Sequence, residues 1–180
     1  MRIFVAIEIS KNELINSIQE FQKEVDINAK PVEPRNLHFT LQFLGEVSEK
    51  ITEEIIKSLR TIEFSSFSVN LKGIGVFPKY KSPRVIWIGT DENGGNMLMQ
   101  LSKKIERKLK PLGFFSDKPF KPHITIFRIK NKIEDITEKM EIQKMTNFGI
   151  QEISSIKLKK SELTSSGPIY SDLMEIKAQK

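Results

Sequence analysis

Two short stretches, His38-Phe39-Thr40-Leu41 and His123-Ile124-Thr125-Ile126, share one pattern: histidine, an apolar residue, threonine and a second apolar residue. They contain the only two histidines of the 180-residue chain and stand 85 residues apart, close to half its length. Each follows a loop punctuated by proline, and their apolar residues and threonines favour β-strands. The spacing indicates an internal repeat in which each half of the chain contributes one such strand.

The two-residue spacing between histidine and threonine predicts that both side chains share a face. Successive strand residues point to opposite faces of a sheet, so His38 and Thr40 lie together while Phe39 takes the other face. The second copy has the same arrangement for His123 and Thr125. If the two strands lie side by side, two imidazoles and two hydroxyls converge on one groove. Such a groove offers a general acid, a general base and two neutral donors suited to phosphoryl oxygens.

Arg128 is a candidate cation for the same groove, because it follows His123 by five residues. A fixed guanidinium would offset the charge that develops on a reacting phosphate. In a perfectly regular strand Arg128 would lie on the face opposite to His123. Its contact with a phosphate therefore requires that the strand ends or twists before it.

The rest of the chain mixes strand and helix patterns. Apolar runs predict strands over residues 3–9, 37–44, 67–77, 85–90, 123–129, 150–158 and 169–176. Apolar stripes at helical spacing predict helices that open at Ser10, near Ser48 and after Gly94-Gly95, with a weaker one over 133–140. Ser10 and Glu13 form a capping-box pattern at the first of these. The connections are too varied for a doubly wound parallel sheet, so the pattern predicts an α+β fold in a single domain over 1–180.

Composition excludes several classes of protein. The absence of cysteine excludes a disulfide scaffold, a Cys-ligated metal site and a thiol nucleophile. Lys plus Arg is 29 against 23 Asp plus Glu, and this net charge of +6 favours a polyanionic partner. The N-terminal apolar run is too short for a signal peptide, since Glu8 interrupts it, and no stretch approaches the about 20 apolar residues of a membrane span. We expect a soluble cytoplasmic protein without membrane association.

The paired motifs resemble those of the 2H phosphoesterase superfamily and, more narrowly, those of the bacterial and archaeal RNA 2′,3′-cyclic phosphodiesterases, also called 2′-5′ RNA ligases. Further matching segments run through nearly the whole chain: Phe4-Val5-Ala6-Ile7, Phe43-Leu44-Gly45-Glu46, Pro83-Arg84-Val85-Ile86-Trp87 and Gly167-Pro168-Ile169-Tyr170. Phe127 departs from the pattern, since the family more often has a small residue before the arginine. The resemblance implies a bilobal fold with pseudo-twofold symmetry, in which two lobes, each an antiparallel sheet with helices, flank the catalytic groove.

The resemblance also implies a reaction in which water attacks a 2′,3′-cyclic phosphate at the end of an RNA or nucleoside, the 3′ oxygen leaves and a 2′-phosphate forms. In the family's usual assignment His38 is the proton donor and His123 the proton acceptor, although the near-equivalent motifs do not by themselves distinguish these roles. Thr40, Thr125 and Arg128 are then the phosphate-binding residues. With an RNA 5′-hydroxyl in place of water, the same machinery run backwards would join ends through a 2′-5′ bond.

The expected partner is RNA with a 2′,3′-cyclic phosphate end, tRNA halves being one source, and the expected oligomeric state is a monomer. No cofactor is expected, and no GxxxxGK[ST] loop supports an ATP-driven joining reaction. No metal is expected either, because two histidines without a clustered carboxylate fall short of three protein ligands.

A loop between two predicted strands is a candidate RNA-binding segment, because it interleaves rings with cations as single-stranded RNA binding requires. Its candidate residues are Lys79, Tyr80, Lys81 and Arg84. An ordinary solvated hairpin connection explains the loop equally well. Tyr170 is a further candidate for the groove, whereas Trp87 and most of the twelve phenylalanines are assigned to the core.

Two other functions remain open. One is an RNA-binding module whose groove clamps phosphates without turnover. The other is a phosphodiesterase that acts on another small nucleotide, such as a 2′-5′-linked oligoadenylate.

Overall fold

The computed structural model describes residues 1–180 as nine β-strands and four α-helices. The strands are β1 (Arg2–Glu8), β2 (Lys30–Pro31), β3 (His38–Glu46), β4 (Phe67–Phe77), β5 (Val85–Thr90), β6 (Ile124–Arg128), β7 (Asn147–Ile153), β8 (Ser155–Thr164) and β9 (Gly167–Lys177). The helices are α1 (Asn12–Glu24), α2 (Glu49–Leu59), α3 (Glu92–Leu109) and α4 (Thr137–Gln143). None of them combines the length and the apolar character that crossing a membrane requires. The α+β prediction is confirmed.

All nine strands belong to one sheet whose strand pairs are antiparallel, in the order β7-β4-β5-β6-β3-β1-β8-β9, with β2 attached to β6. We call β3, β1, β8 and β9 the terminal half-sheet, because it contains both ends of the chain, and β7, β4, β5 and β6 the central half-sheet. The two are joined where β3 meets β6, through the single pair Phe39 and Ile124. Each half-sheet contains a strand–helix–strand unit, β1-α1-β3 or β5-α3-β6, that carries one histidine motif.

The helices interlock the two half-sheets. α1 follows β1 of the terminal half-sheet but packs against β6 and β7 of the central one, while α3 packs against both β3 and β4. α3 can approach closely because Gly94 has no side chain: a Cβ there would lie 3.0 Å from the Cα of Val69. The relative position of the two motif strands is therefore set by helix packing as well as by their one shared residue pair.

The first and third helices do not begin as predicted. α1 begins at Asn12, and Ser10 and Glu13 form no capping box, because Ser10 is held by β7 instead: the Gln151 side-chain carbonyl accepts from its backbone N–H at 3.1 Å. A tertiary partner has replaced the local cap. α3 begins at Glu92, before the glycine pair, with the Asp91 carboxylate accepting from the Gly94 N–H at 3.0 Å.

The predicted strand over residues 150–158 is wrong as one element. It is divided at Ser154 into β7 and β8, which lie near opposite ends of the sheet. Ile153 and Ile156 on either side of the break are both fully buried, so the apolar pattern continues although the chain changes half-sheet. The weak helix predicted over 133–140 is α4, which lies a few residues later.

Candidate active site

The junction between the half-sheets brings the two motifs together. Phe39 and Ile124 are partners across β3 and β6, and both are 0% exposed. Because the strands are antiparallel, this pair places His38 across from Thr125 and Thr40 across from His123, all on the other face. In a regular ladder two such histidines are diagonal neighbours, about 7–8 Å apart. That separation suits a single phosphate between two imidazoles.

A groove of about 330 Å³ runs over this junction. Its lining includes all five residues that the sequence places at the phosphate, together with one further candidate: His38, Thr40, His123, Thr125, Arg128 and Tyr170. The groove is thus bounded by both half-sheets. Its other charged lining residues are mostly cations, so its electrostatic character suits a polyanion.

Arg128 reaches the groove because β6 contains an irregularity. Along β5, Ile86 is the partner of Phe127 and Trp87 is the partner of Thr125, so Ile126 is skipped. The Ile126 carbonyl instead accepts hydrogen bonds from the Val32 N–H and the Gln22 side chain at 2.9 and 2.8 Å. The extra residue reverses the alternation, as a β-bulge does, and turns Arg128 to the face of Thr125.

Both imidazoles are fixed by the same local contact. Nδ1 of His38 lies 2.7 Å from the carbonyl oxygen of Asn36, and Nδ1 of His123 lies 2.6 Å from that of Lys121. A carbonyl can only accept, so Nδ1 carries the proton in each neutral ring and Nε2 is left as the basic nitrogen. Nε2 of His38 lies 3.0 Å from the Thr40 hydroxyl oxygen. The repeat therefore duplicates the tautomer as well as the residue types.

Burial lowers the pKa of His38 to about 4. The Asn36 carbonyl and Glu8 act in the opposite direction, while the charges of Lys159 and Arg128 add to the decrease. Two rings lie beside His38: the centroids of Phe4 and Tyr170 lie 5.2 and 5.4 Å from that of the imidazole. His38 is consequently neutral at pH 7 in the free protein.

The pKa of His123 is also lowered, again mainly by burial. The Lys121 carbonyl opposes this, and the charges of Lys121 and Arg128 reinforce it. The neighbouring rings are Phe77 and Trp87, with centroids 5.2 and 6.0 Å from the imidazole. Burial thus favours the neutral form of both imidazoles in the free protein.

Several groove residues were missed by the sequence analysis. They include three cations, one carboxylate, and the end of β8 with the turn that follows it: Lys30, Arg35, Lys130, Glu33, Leu163, Thr164 and Ser166. The Lys30 ammonium donates to the Ser166 carbonyl at 2.5 Å, which links β2 to that turn across the groove. The Gly167-Pro168-Ile169-Tyr170 segment was the available indication of this wall, whereas nothing local distinguishes Lys30 from other surface lysines.

The candidate RNA-binding loop lies outside the groove lining. Tyr80 packs partly buried against the hydrophobic core, and the Arg84 guanidinium donates to the Lys130 carbonyl at 3.0 Å. Lys79 and Lys81 are exposed. The role predicted for this loop stays a prediction, and of the candidate RNA contacts only Tyr170 lies in the groove. No three His, Cys, Asp or Glu side chains come together in a way that could hold a metal ion.

The sequence matches the family described as LigT like Phosphoesterase twice, over residues 7–87 and again over 88–170. It is 40% identical over 175 residues to an RNA 2′,3′-cyclic phosphodiesterase of Archaeoglobus fulgidus, covering 96% of this chain and 98% of that protein. It is 42% identical over 183 residues to an RNA 2′,3′-cyclic phosphodiesterase of Aquifex aeolicus, covering 97% and 96%.

Solved structures agree with these sequence relatives. The crystal structure of E. coli LigT in its apo form superposes with a TM-score of 0.81 at 25% identity, over 99% of this chain and 98% of that one. A crystal structure of a Thermus thermophilus protein gives a TM-score of 0.80 at 29% identity, over 98% and 97%. The double match, the shared fold and the close relatives lead to one conclusion: this chain belongs to the LigT-like phosphoesterase family.

Proposed function

We propose that this chain is an RNA 2′,3′-cyclic phosphodiesterase, which hydrolyses cyclic phosphate ends of RNA or nucleosides to 2′-phosphates. The observation that carries the proposal is that His38, Thr40, His123, Thr125 and Arg128 all line one groove. Two relatives named RNA 2′,3′-cyclic phosphodiesterase are about 40% identical to this chain over nearly its whole length.

His123 acts as the proton acceptor in this scheme. Its Nδ1 is committed to the Lys121 carbonyl, so the neutral Nε2 takes a proton from the attacking water. The lowered pKa keeps this nitrogen unprotonated at pH 7 and available as a base.

His38 acts as the proton donor to the departing 3′ oxygen. It is neutral in the free protein, so it must gain its proton together with the substrate. A phosphate anion between the two imidazoles favours the protonated form and raises the pKa of His38. The rate therefore depends on one protonated and one neutral imidazole, and the pH profile is bell-shaped. Since both free pKa values lie below 6.5, kcat/KM reaches its maximum on the acid side of pH 6.5.

Thr40, Thr125 and Arg128 bind the phosphate. The two hydroxyls donate to non-bridging oxygens, and the guanidinium offsets the negative charge as the fifth bond to phosphorus forms. No step requires a metal ion or a nucleoside triphosphate. With an RNA 5′-hydroxyl in place of water as the nucleophile, the same proton transfers yield a 2′-5′ bond.

Incubation with a nucleoside 2′,3′-cyclic phosphate tests the proposal. His38→Ala and His123→Ala should each reduce turnover by about 10²–10⁴-fold, because each removes one proton transfer. The product of the unaltered protein should be the 2′-phosphate and not the 3′-phosphate. Equal activity in all three proteins would contradict the assignment, and tight RNA binding without turnover would identify a binding module instead.

A further inference from the structure

The groove face of the central half-sheet carries three side chains beside His123 that hydrolysis does not use. We call Phe77, Trp87 and Lys121 the aromatic corner. Trp87 is the strand partner of Thr125, which places it on the face of the motif. The Phe77 and Trp87 ring centroids are 5.2 Å apart, and neither side chain is fully buried. The aromatic corner adjoins the groove through His123, whose ring meets both aromatic rings edge to face.

Gly75 determines where the indole lies. It is the partner of Trp87 across β4 and β5, and a Cβ at Gly75 would lie 2.1 Å from the indole ring. Any other residue there would displace the ring. The Trp87 Nε1 is buried and has no hydrogen-bond partner, so the indole is held by packing and not by a hydrogen bond.

Lys121 lies over both rings. Its ammonium is 4.7 Å from the Trp87 centroid and 5.3 Å from that of Phe77, and its side chain is exposed. The cover of the ring faces is therefore an exposed, flexible side chain, which a stacking base would displace. Single-stranded RNA is bound by this combination, since bases stack on aromatic rings and nearby cations contact the backbone.

The position of the aromatic corner indicates which RNA strand it binds. In an in-line displacement the attacking and leaving oxygens lie on opposite sides of phosphorus. With the proposed roles, the 3′ oxygen of the nucleotide that bears the cyclic phosphate leaves phosphorus on the His38 side, and the nucleophile arrives on the His123 side. Water as nucleophile brings no base to the aromatic corner, whereas an RNA 5′-hydroxyl does.

We propose that the aromatic corner is the subsite for the 5′-terminal nucleobase of an acceptor RNA whose 5′-hydroxyl replaces water. This inference rests on the proposed roles of His38 and His123. In the transfer, the bond from the 5′ oxygen to phosphorus forms as the bond to the 3′ oxygen breaks. The 5′-hydroxyl proton passes to His123 Nε2, and the His38 proton passes to the 3′ oxygen, so the step is balanced without a further reactant.

The test uses Trp87 as a reporter, because it is the only tryptophan in the chain. Titrating the protein with a 5′-hydroxyl trinucleotide, without a cyclic phosphate, should quench its fluorescence to saturation. The same trinucleotide with an abasic 5′ residue should bind about tenfold more weakly, because base–aromatic stacking is lost. Equal quenching by both ligands, or none by either, overturns the proposal.

A pair of variants provides an independent control. Phe77→Leu should weaken binding of the base-containing trinucleotide about tenfold. Phe43→Leu should leave it unchanged, since Phe43 is an exposed ring with Arg2 over it at 5.7 Å but, unlike Phe77, is not in ring contact with His123. Equal weakening by both variants would contradict a specific subsite. Fluorescence is measured without turnover, so binding and hydrolysis are tested separately. If the protein hydrolyses the cyclic phosphate but shows no base-dependent quenching, this subsite is refuted and the proposed hydrolysis stands.

Discussion

His38 and His123 are equivalent in the repeat, yet their surroundings differ. Each ring donates Nδ1–H to the carbonyl two residues earlier and shares a face with the threonine two residues later. Around His38 the neighbouring side chains are Phe4 and Tyr170, from β1 and β9. Around His123 they are the aromatic corner, which stays partly open to solvent. The motif duplicates the geometry of the imidazole, whereas the flanking strands decide its environment.

The terminal half-sheet also carries a charge network that has no counterpart beside His123. The Lys157 ammonium bridges Glu8 and Asp172 at 2.8 and 2.7 Å, and the Lys159 ammonium contacts the same two carboxylates. The Lys159 side chain is only 5% exposed. Burial alone would raise the pKa of Glu8, but the two lysines outweigh it and the pKa is lowered. Lys159 is therefore a buried cation near His38, whereas Lys121 is an exposed cation beside His123.

Arg128 is common to both surroundings, since its charge lowers the pKa of both histidines, so its removal has a large expected effect on activity. We expect Arg128→Gln to lower kcat/KM by about 10²–10³-fold, as the loss of a transition-state donor does elsewhere. Arg107→Gln on the exposed surface of α3 is the matched control and should stay within about twofold of the unaltered protein, as surface substitutions usually do. A loss no larger than that of the control would show that the bulge in β6 does not serve catalysis.

Lys159 in the terminal half-sheet and Lys121 beside the central half-sheet should differ in how much each contributes to the free energy of unfolding. Lys159→Met should lower the free energy of unfolding by about 2 kcal/mol, because it removes a buried cation and leaves the half-buried Glu8 and the more exposed Asp172 with one lysine between them. Lys121→Met should cost at most about 1 kcal/mol, the usual range of an exposed cation–π contact. Urea denaturation of both variants measures the difference. Equal losses would mean that the buried network is no more important to the fold than the exposed contact.

The shared motif was readable from sequence because its residue types and two-residue spacing are local. The face of the sheet on which Arg128 lies could not be predicted from the sequence, because it depends on the partner strand β5 skipping Ile126. The division at Ser154 was hidden for a similar reason: apolar alternation runs through a break that only strand pairing reveals. The family resemblance identified the Gly167–Tyr170 segment, but Lys30 enters the groove only through the β2–β6 pairing. Local chemistry was thus predictable, and features that depend on register were not.

The central claim is that both imidazoles face one phosphate, and NMR titration of the two histidine rings tests it most directly. In the free protein His38 should titrate near pH 4 and His123 below 6.5, because folding favours both neutral forms. Because the pKa of each histidine is lower in the folded chain than in the unfolded chain, the free energy of unfolding decreases as the pH drops below 6.5. With a bound nucleoside 2′-phosphate, the pKa values of both rings should rise, since each then faces an anion. A ligand that shifts only one ring, or neither, would contradict the shared site.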